Sequence, residues 1–150
     1  MKHIFIGADS AGFELKQLIK AHLSEAGYEV TDVGTDSTAS CHYPIFAAAV
    51  ARGVQDTAGA VGILVCGTGI GMSMAANKFT GIRAAVCGDT FSARMTRMHN
   101  DANVLCIGAR VIGYGLATDI VDLFLTTEFE GGRHATRVDM ISSLEDGNKI

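Results

Sequence analysis

Val61-Gly-Ile-Leu-Val-Cys66-Gly-Thr-Gly-Ile-Gly-Met72 decides the fold. An apolar run interrupted by one glycine leads to Cys66, as in a parallel-sheet strand covered on both faces. Gly67, Gly69 and Gly71 then alternate with Thr68 and Ile70, so the backbone can approach a ligand closely. A helix should open there and run to about Phe79. The start of a helix offers unpaired N–H groups, which suit a phosphate or a developing oxyanion. Cys66 stands at the lip of that cradle.

Working outward, strands and helices alternate. Lys2 to Asp9 reads as a strand ending at an acid. A helix follows from Ala11 to Ala26, with Phe13, Leu15, Leu18, Ile19, His22 and Leu23 on its apolar side and Gly27 as its stop. Tyr28 to Val33 is a second strand, and 34–41 a polar loop long enough to serve as a lid. Tyr43-Pro44 starts an alanine-rich helix. Beyond the central stretch, Arg83 to Gly88 and Val104 to Gly108 read as strands. A helix capped by Asp89 or Thr90 separates them. Helices from Ile112 to about Thr126 and from Arg133 to about Leu144 complete the pattern. Such alternation predicts a Rossmann-like three-layer α/β/α fold, a single domain over 1–150 with a five-stranded parallel sheet. Ligands bind such sheets at the carboxyl ends of the strands.

Composition narrows the function classes. The 150 residues are 48% hydrophobic, enough for one real core. A net charge of −4 without basic or acidic blocks argues against nucleic-acid and membrane partners. No long apolar span or signal-peptide pattern occurs, so a cytoplasmic location is expected. The four cysteines form no Cys-x-x-Cys pair and should be free thiols, with Cys87 and Cys106 as core residues. No His-x-His or His-x-x-x-His spacing occurs, and neither a metal nor a cofactor is expected.

The chemistry-bearing groups fall at two places. Cys66, at a strand end that enters a helix, occupies a position that favours the thiolate and so could serve as nucleophile, redox centre or general base. Asp9 and Arg110 share its edge of the sheet. His99 ends a helix, where the dipole favours a cationic imidazole able to donate a proton. Arg133 and Arg137 are one turn apart with His134 beside them, an arrangement suited to a phosphate dianion. His99 and Asn100 precede the last strand and so lie near the amino edge, roughly 17 Å from the carboxyl edge for a five-residue strand. If His99 works with Cys66, a second subunit should supply it, or the connection within the chain must be unusual. A site shared across a two-fold dimer is the expectation.

Gly7-Ala-Asp-Ser-Ala-Gly12, Tyr43-Pro44, Cys66-Gly-Thr-Gly-Ile-Gly71, Ala75-Ala-Asn-Lys78, Gly81-Ile-Arg-Ala84, His99-Asn100, Gly108-Ala-Arg110 and Gly131-Gly-Arg-His134 together resemble the ribose-5-phosphate isomerase type B and galactose-6-phosphate isomerase family. The resemblance spans about residues 1 to 145. It implies a homodimer or dimer of dimers and cofactor-free aldose–ketose isomerisation of a sugar phosphate. By the same resemblance Cys66 removes the proton between C1 and C2, and the loop from Gly67 through Thr68, Gly69 and Ile70 to Gly71 stabilises the enediolate. His99 assists ring opening with Asp9 nearby. Ser10, Tyr43, Asn100, Arg110, Arg133, His134 and Arg137 match substrate or phosphate contacts.

Two positions depart from the family pattern. Ser10 stands where ribose-5-phosphate members usually carry histidine, and Cys41-His42 where an acid commonly precedes Tyr-Pro. These departures bear on the substrate rather than the reaction type; ribose 5-phosphate remains the first expectation, followed by other sugar phosphates of four to six carbons. Two other readings compete. The Gly-x-Gly-x-Gly spacing lacks the extra residue of a dinucleotide fingerprint, which speaks against a nicotinamide cofactor. A non-catalytic sugar-phosphate-binding module would need the cradle and arginines but not Cys66.

Overall fold

The computed structural model describes residues 1–150. Its elements are β1 (His3–Ala8), α1 (Phe13–Glu25), β2 (Glu29–Asp32), α2 (Tyr43–Asp56), β3 (Val61–Cys66), α3 (Ile70–Ala76), β4 (Ala84–Val86), α4 (Thr90–Asn100), β5 (Val104–Gly108), α5 (Tyr114–Thr126) and α6 (Arg133–Glu145). All five strands are parallel, in the order β2-β1-β3-β5-β4. The central strand β3 is buried at every residue. The apolar run, with Gly62 its only break, produces this because both faces of β3 are covered.

Alternation along the strands sorts side chains into two layers. Ile4, Ile6, Val61, Ile63, Val65, Leu105 and Ile107 pack with α1, α4 and α5. Leu64, Cys66, Val104 and Cys106 pack with α2 and α3. Glycine allows α2 to lie close to the sheet, since a Cβ on Gly62 would sit 2.5 Å from Val50 Cγ1. Helix α6 packs on α4 outside the two layers. No helix is long and apolar enough to cross a membrane.

The connection from β1 leads to β2 on one side, whereas that from β3 leads to β4 on the other. The carboxyl ends of β1 and β3 therefore flank a crevice, the usual ligand site of such sheets. Asp9 follows β1 there and Cys66 ends β3.

Three local expectations need correction. The helix after the glycine loop ends at Ala76 rather than near Phe79, because Asn77 leaves it to pair with β4. Asn77 Nδ2 donates to the Ala84 carbonyl at 3.0 Å, and the Ala84 N–H donates to Asn77 Oδ1 at 2.8 Å. On α1, Leu18 is exposed and His22 pairs with Asp122, while Lys16 is fully buried beside Leu15, Ile19 and Leu23. Lys16 Nζ donates to Asp32 Oδ1 at 2.7 Å and to the Thr35 carbonyl at 2.6 Å, which satisfies the buried charge. Helix α5 starts at Tyr114 rather than Ile112. Asp89 is the cap of α4, accepting from the Ser92 N–H at 2.7 Å.

Candidate active site

Cys66 is 5% exposed and its sulfur accepts the N–H of Gly69 at 3.0 Å. Gly69 adopts φ +80°, the left-handed region that glycine enters at little cost, and this turns its N–H back towards the thiol. Thr68 Oγ1 accepts the N–H of Ile70 at 3.2 Å. Two donors of the loop are thus engaged within it, one of them on the sulfur. With only seven residues, α3 adds little dipole, so the loop's own N–H groups carry the site's polarity.

The remaining thiols behave differently. Burial, with Asp89 nearby, pushes the Cys87 thiol up to about 11, and burial pushes Cys106 upward too. Both lie in the core, as their apolar flanks imply. Cys41 is half-buried in the loop ahead of α2.

Close packing places the other groups of this edge. The Asp9 turn is clipped over the end of β3, where Asp9 N–H donates to the Val65 carbonyl and Asp9 Oδ1 accepts the Gly12 N–H at 3.0 Å. A Cβ on Gly12 would lie 2.2 Å from the Val65 oxygen, so the turn requires glycine. Ser10 follows on the same turn. Across the loop, the Ala109 N–H donates to the Cys66 carbonyl and the Arg110 N–H to the Gly67 carbonyl. Arg110 Cδ and Nη1 would meet a Cβ on Gly67 at 3.6 Å. The Tyr43 ring lies against Gly71, where a Cβ would sit 2.6 Å from Cζ. Asp9, Ser10, Tyr43, the 66–71 loop and Arg110 therefore form one cluster.

His99, Asn100, Arg133, His134 and Arg137 are not part of it. Helix α4 starts beyond the carboxyl end of β4 and returns to the amino end of β5, and His99 and Asn100 occupy its last turn. The N-terminal turn of α6 brings His134 against His99, their rings stacked with centroids 4.2 Å apart and planes 12° from parallel. Arg133 and Arg137 are exposed on the same helix. Buried Arg97 supports the turn, binding Asp101 Oδ1 at 3.0 Å and the Ala102 carbonyl, and Arg83 Nη2 binds Asp101 Oδ2 at 3.1 Å.

Glu130 joins this second cluster, although no motif singled it out. Its Oε2 lies 3.7 Å from His99 Nε2 and 3.6 Å from His134 Nε2. The i,i+4 spacing from Glu130 to His134 was the one signal in the sequence. Burial, then His99 and Arg133, push the His134 imidazole below its ordinary value. Three ligand atoms of these residues lie within 4.8 Å of one another. Parallel imidazoles, however, set their lone pairs side by side rather than converging on one point, a poor geometry for chelating a metal.

None of the four cavities in the chain is lined by Cys66. The thiol loop opens onto a surface where Tyr43, Ile45, Ile70 and Met74 are exposed. Within one chain the arrangement offers a thiol held by a backbone donor with Arg110 beside the loop, but no enclosure, and the Arg133–Arg137 pair lies elsewhere.

Residues 4–141 match the Ribose/Galactose Isomerase family. Ribose-5-phosphate isomerase B of Escherichia coli (strain K12) is 52% identical over 145 residues, covering 97% of each chain. D-erythrulose-4-phosphate isomerase of Pectobacterium atrosepticum is 47% identical over 150 residues, covering 99% of each. The structure of Clostridium thermocellum ribose-5-phosphate isomerase B superposes with a TM-score of 0.95 at 52% identity, covering 97% of this chain and 98% of that one.

Proposed function

The chain belongs to the Ribose/Galactose Isomerase family, and on that premise we propose that it interconverts ribose 5-phosphate and ribulose 5-phosphate through an enediolate, with Cys66 as the base. It is a sugar-phosphate aldose–ketose isomerase. The observation that carries the base assignment is the Cys66 sulfur, buried at the carboxyl edge and accepting the Gly69 N–H at 3.0 Å.

The reaction follows from the parts. The thiolate takes the proton from C2 of the open-chain aldose, and the electron pair of that C–H bond forms the C1–C2 double bond. The carbonyl oxygen at C1 becomes an oxyanion, which the N–H groups of Gly67 and Gly71 and the Thr68 hydroxyl receive. Such preorganised donors are worth a few kcal/mol. Proton transfer between O2 and O1, followed by return of the thiol proton to C1, gives the ketose. Electrons only move within the substrate, so the chemistry calls for no redox cofactor.

Ring opening precedes these steps and needs an acid at the ring oxygen. His99 fills that role from a second copy of the chain. That copy's exposed Arg133 and Arg137 grip the phosphate, with His134 packed behind them, and Asn100 contacts the sugar. Asp9, Ser10, Tyr43 and Arg110 line the thiol side. A homodimer or dimer of dimers is required. The open thiol loop and the exposed apolar side chains around it support that reading. A cytoplasmic location fits the reaction and the unpaired cysteines.

A second substrate is favoured by Ser10 together with the relative named for D-erythrulose 4-phosphate. The experiment is a panel of phosphorylated aldoses and ketoses of four to six carbons, read by product analysis on the parent and Cys66→Ala. Turnover of ribose 5-phosphate, lost in the variant while ligand binding persists, is the expected result. Turnover of only a four- or six-carbon sugar would replace the substrate, and turnover retained by Cys66→Ala would remove the base.

A further inference from the structure

We propose that Glu130 is a positioning residue that holds a proton on the His99–His134 pair. The proposal rests on the isomerase reading above for its catalytic consequence, and on geometry for its physical basis.

Two imidazoles stacked 4.2 Å apart and nearly parallel cannot both be charged without strong repulsion. Charging one ring therefore disfavours charging the other. The His134 side chain is 7% exposed and its Nε2 is buried without a hydrogen-bond partner, whereas the His99 side chain is 37% exposed. Charge belongs on the more hydrated ring. Arg133 and Arg137 act on His134 from α6 and disfavour a cation there as well. At the end of α4, Arg97 and Arg83 share the Asp101 carboxylate, which leaves that turn with a net positive charge.

Glu130 is the one anion facing both rings. Its N–H donates to the Met98 carbonyl at 3.1 Å, which fixes the segment between α5 and α6 to the last turn of α4. Its carboxylate stands 3.7 Å from His99 Nε2, near enough to stabilise an imidazolium yet too far for a hydrogen bond that would consume the donor. The proton thus stays stabilised and transferable. An acid that opens a sugar ring must be charged when substrate arrives. Activity should then fall as pH rises past the midpoint of the pair.

The test compares histidine side-chain NMR titrations and pH–rate profiles for the parent, Glu130→Gln and Glu130→Asp. Removing an anion at this distance should lower the pair's midpoint by roughly 0.5 to 1 pH unit. The high-pH limb of kcat/KM should move down with it, and Glu130→Asp should restore part of both shifts. Glu130 is half-exposed, so the fold tolerates the change. An unmoved midpoint in Glu130→Gln overturns the proposal. A lowered midpoint with an unmoved limb overturns its catalytic half. A lowered midpoint in a protein that isomerises no sugar phosphate supports Glu130's hold on the pair and overturns the isomerase reading instead.

Discussion

Cys66 and His99 stand at opposite edges of the same sheet. Cys66 ends β3 at the carboxyl edge, while His99 lies in the last turn of α4, five residues before β5 enters at the amino edge. Five strand residues separate those edges by about 17 Å. No side-chain rotation closes that distance, so a reaction needing both groups needs two chains.

The glycine loop is held by Tyr43, and this contact can be broken from either side. Gly71→Ala should destabilise the fold by about 1–3 kcal/mol, because its Cβ would sit 2.6 Å from the ring. Adding Tyr43→Ala to that variant should recover part of the loss. Denaturant titration of the two single variants and the double variant measures the coupling. Additive losses would mean that the ring does not pack on the loop.

Acid stability should depend on Asp32. Burial raises its pKa, but hydrogen bonds from Lys16, the Gly34 N–H and Lys20 outweigh that and hold the carboxyl below its ordinary value. A depressed folded-state pKa contributes stability above the unfolded value of about 3.9, lost as pH falls through the folded value. Asp32→Asn should therefore cost about 3–5 kcal/mol at neutral pH, since Lys16 is left charged and buried. The gap between parent and variant should narrow below about pH 4. A gap that stays constant under acid would show that the ion pair is not the source.

Arg137 tests the proposed phosphate site. Arg137→Ala should weaken a phosphorylated substrate analogue by roughly ten-fold or more, the loss of one charge-assisted contact. An unphosphorylated analogue should bind both proteins alike. Equal weakening of both ligands in calorimetry would take Arg137 out of phosphate contact.

Much of this architecture was legible from residue order. The buried run ending at Cys66, the alternation of strands with helices, and the position of His99 ahead of the last strand place the thiol and the imidazole at opposite edges. What escaped depends on contacts between distant residues. Lys16 looks polar in any periodicity, and only Asp32 and the Thr35 carbonyl explain its burial. The end of α3 is set by Asn77 reaching Ala84, not by a breaker inside the helix. Glu130 gains its place only when α6 folds back onto α4 and stacks His134 on His99.

The shared site is tested most directly by mixing two inactive variants. Cys66→Ala and His99→Ala should each lack activity alone. Unfolded together, refolded and reassembled, half the dimers carry one chain of each kind, and each such dimer retains one complete site. About a quarter of parent activity should return if the site spans the two-fold interface. A mixture as inactive as its components would contradict a site built from Cys66 of one chain and His99 of another.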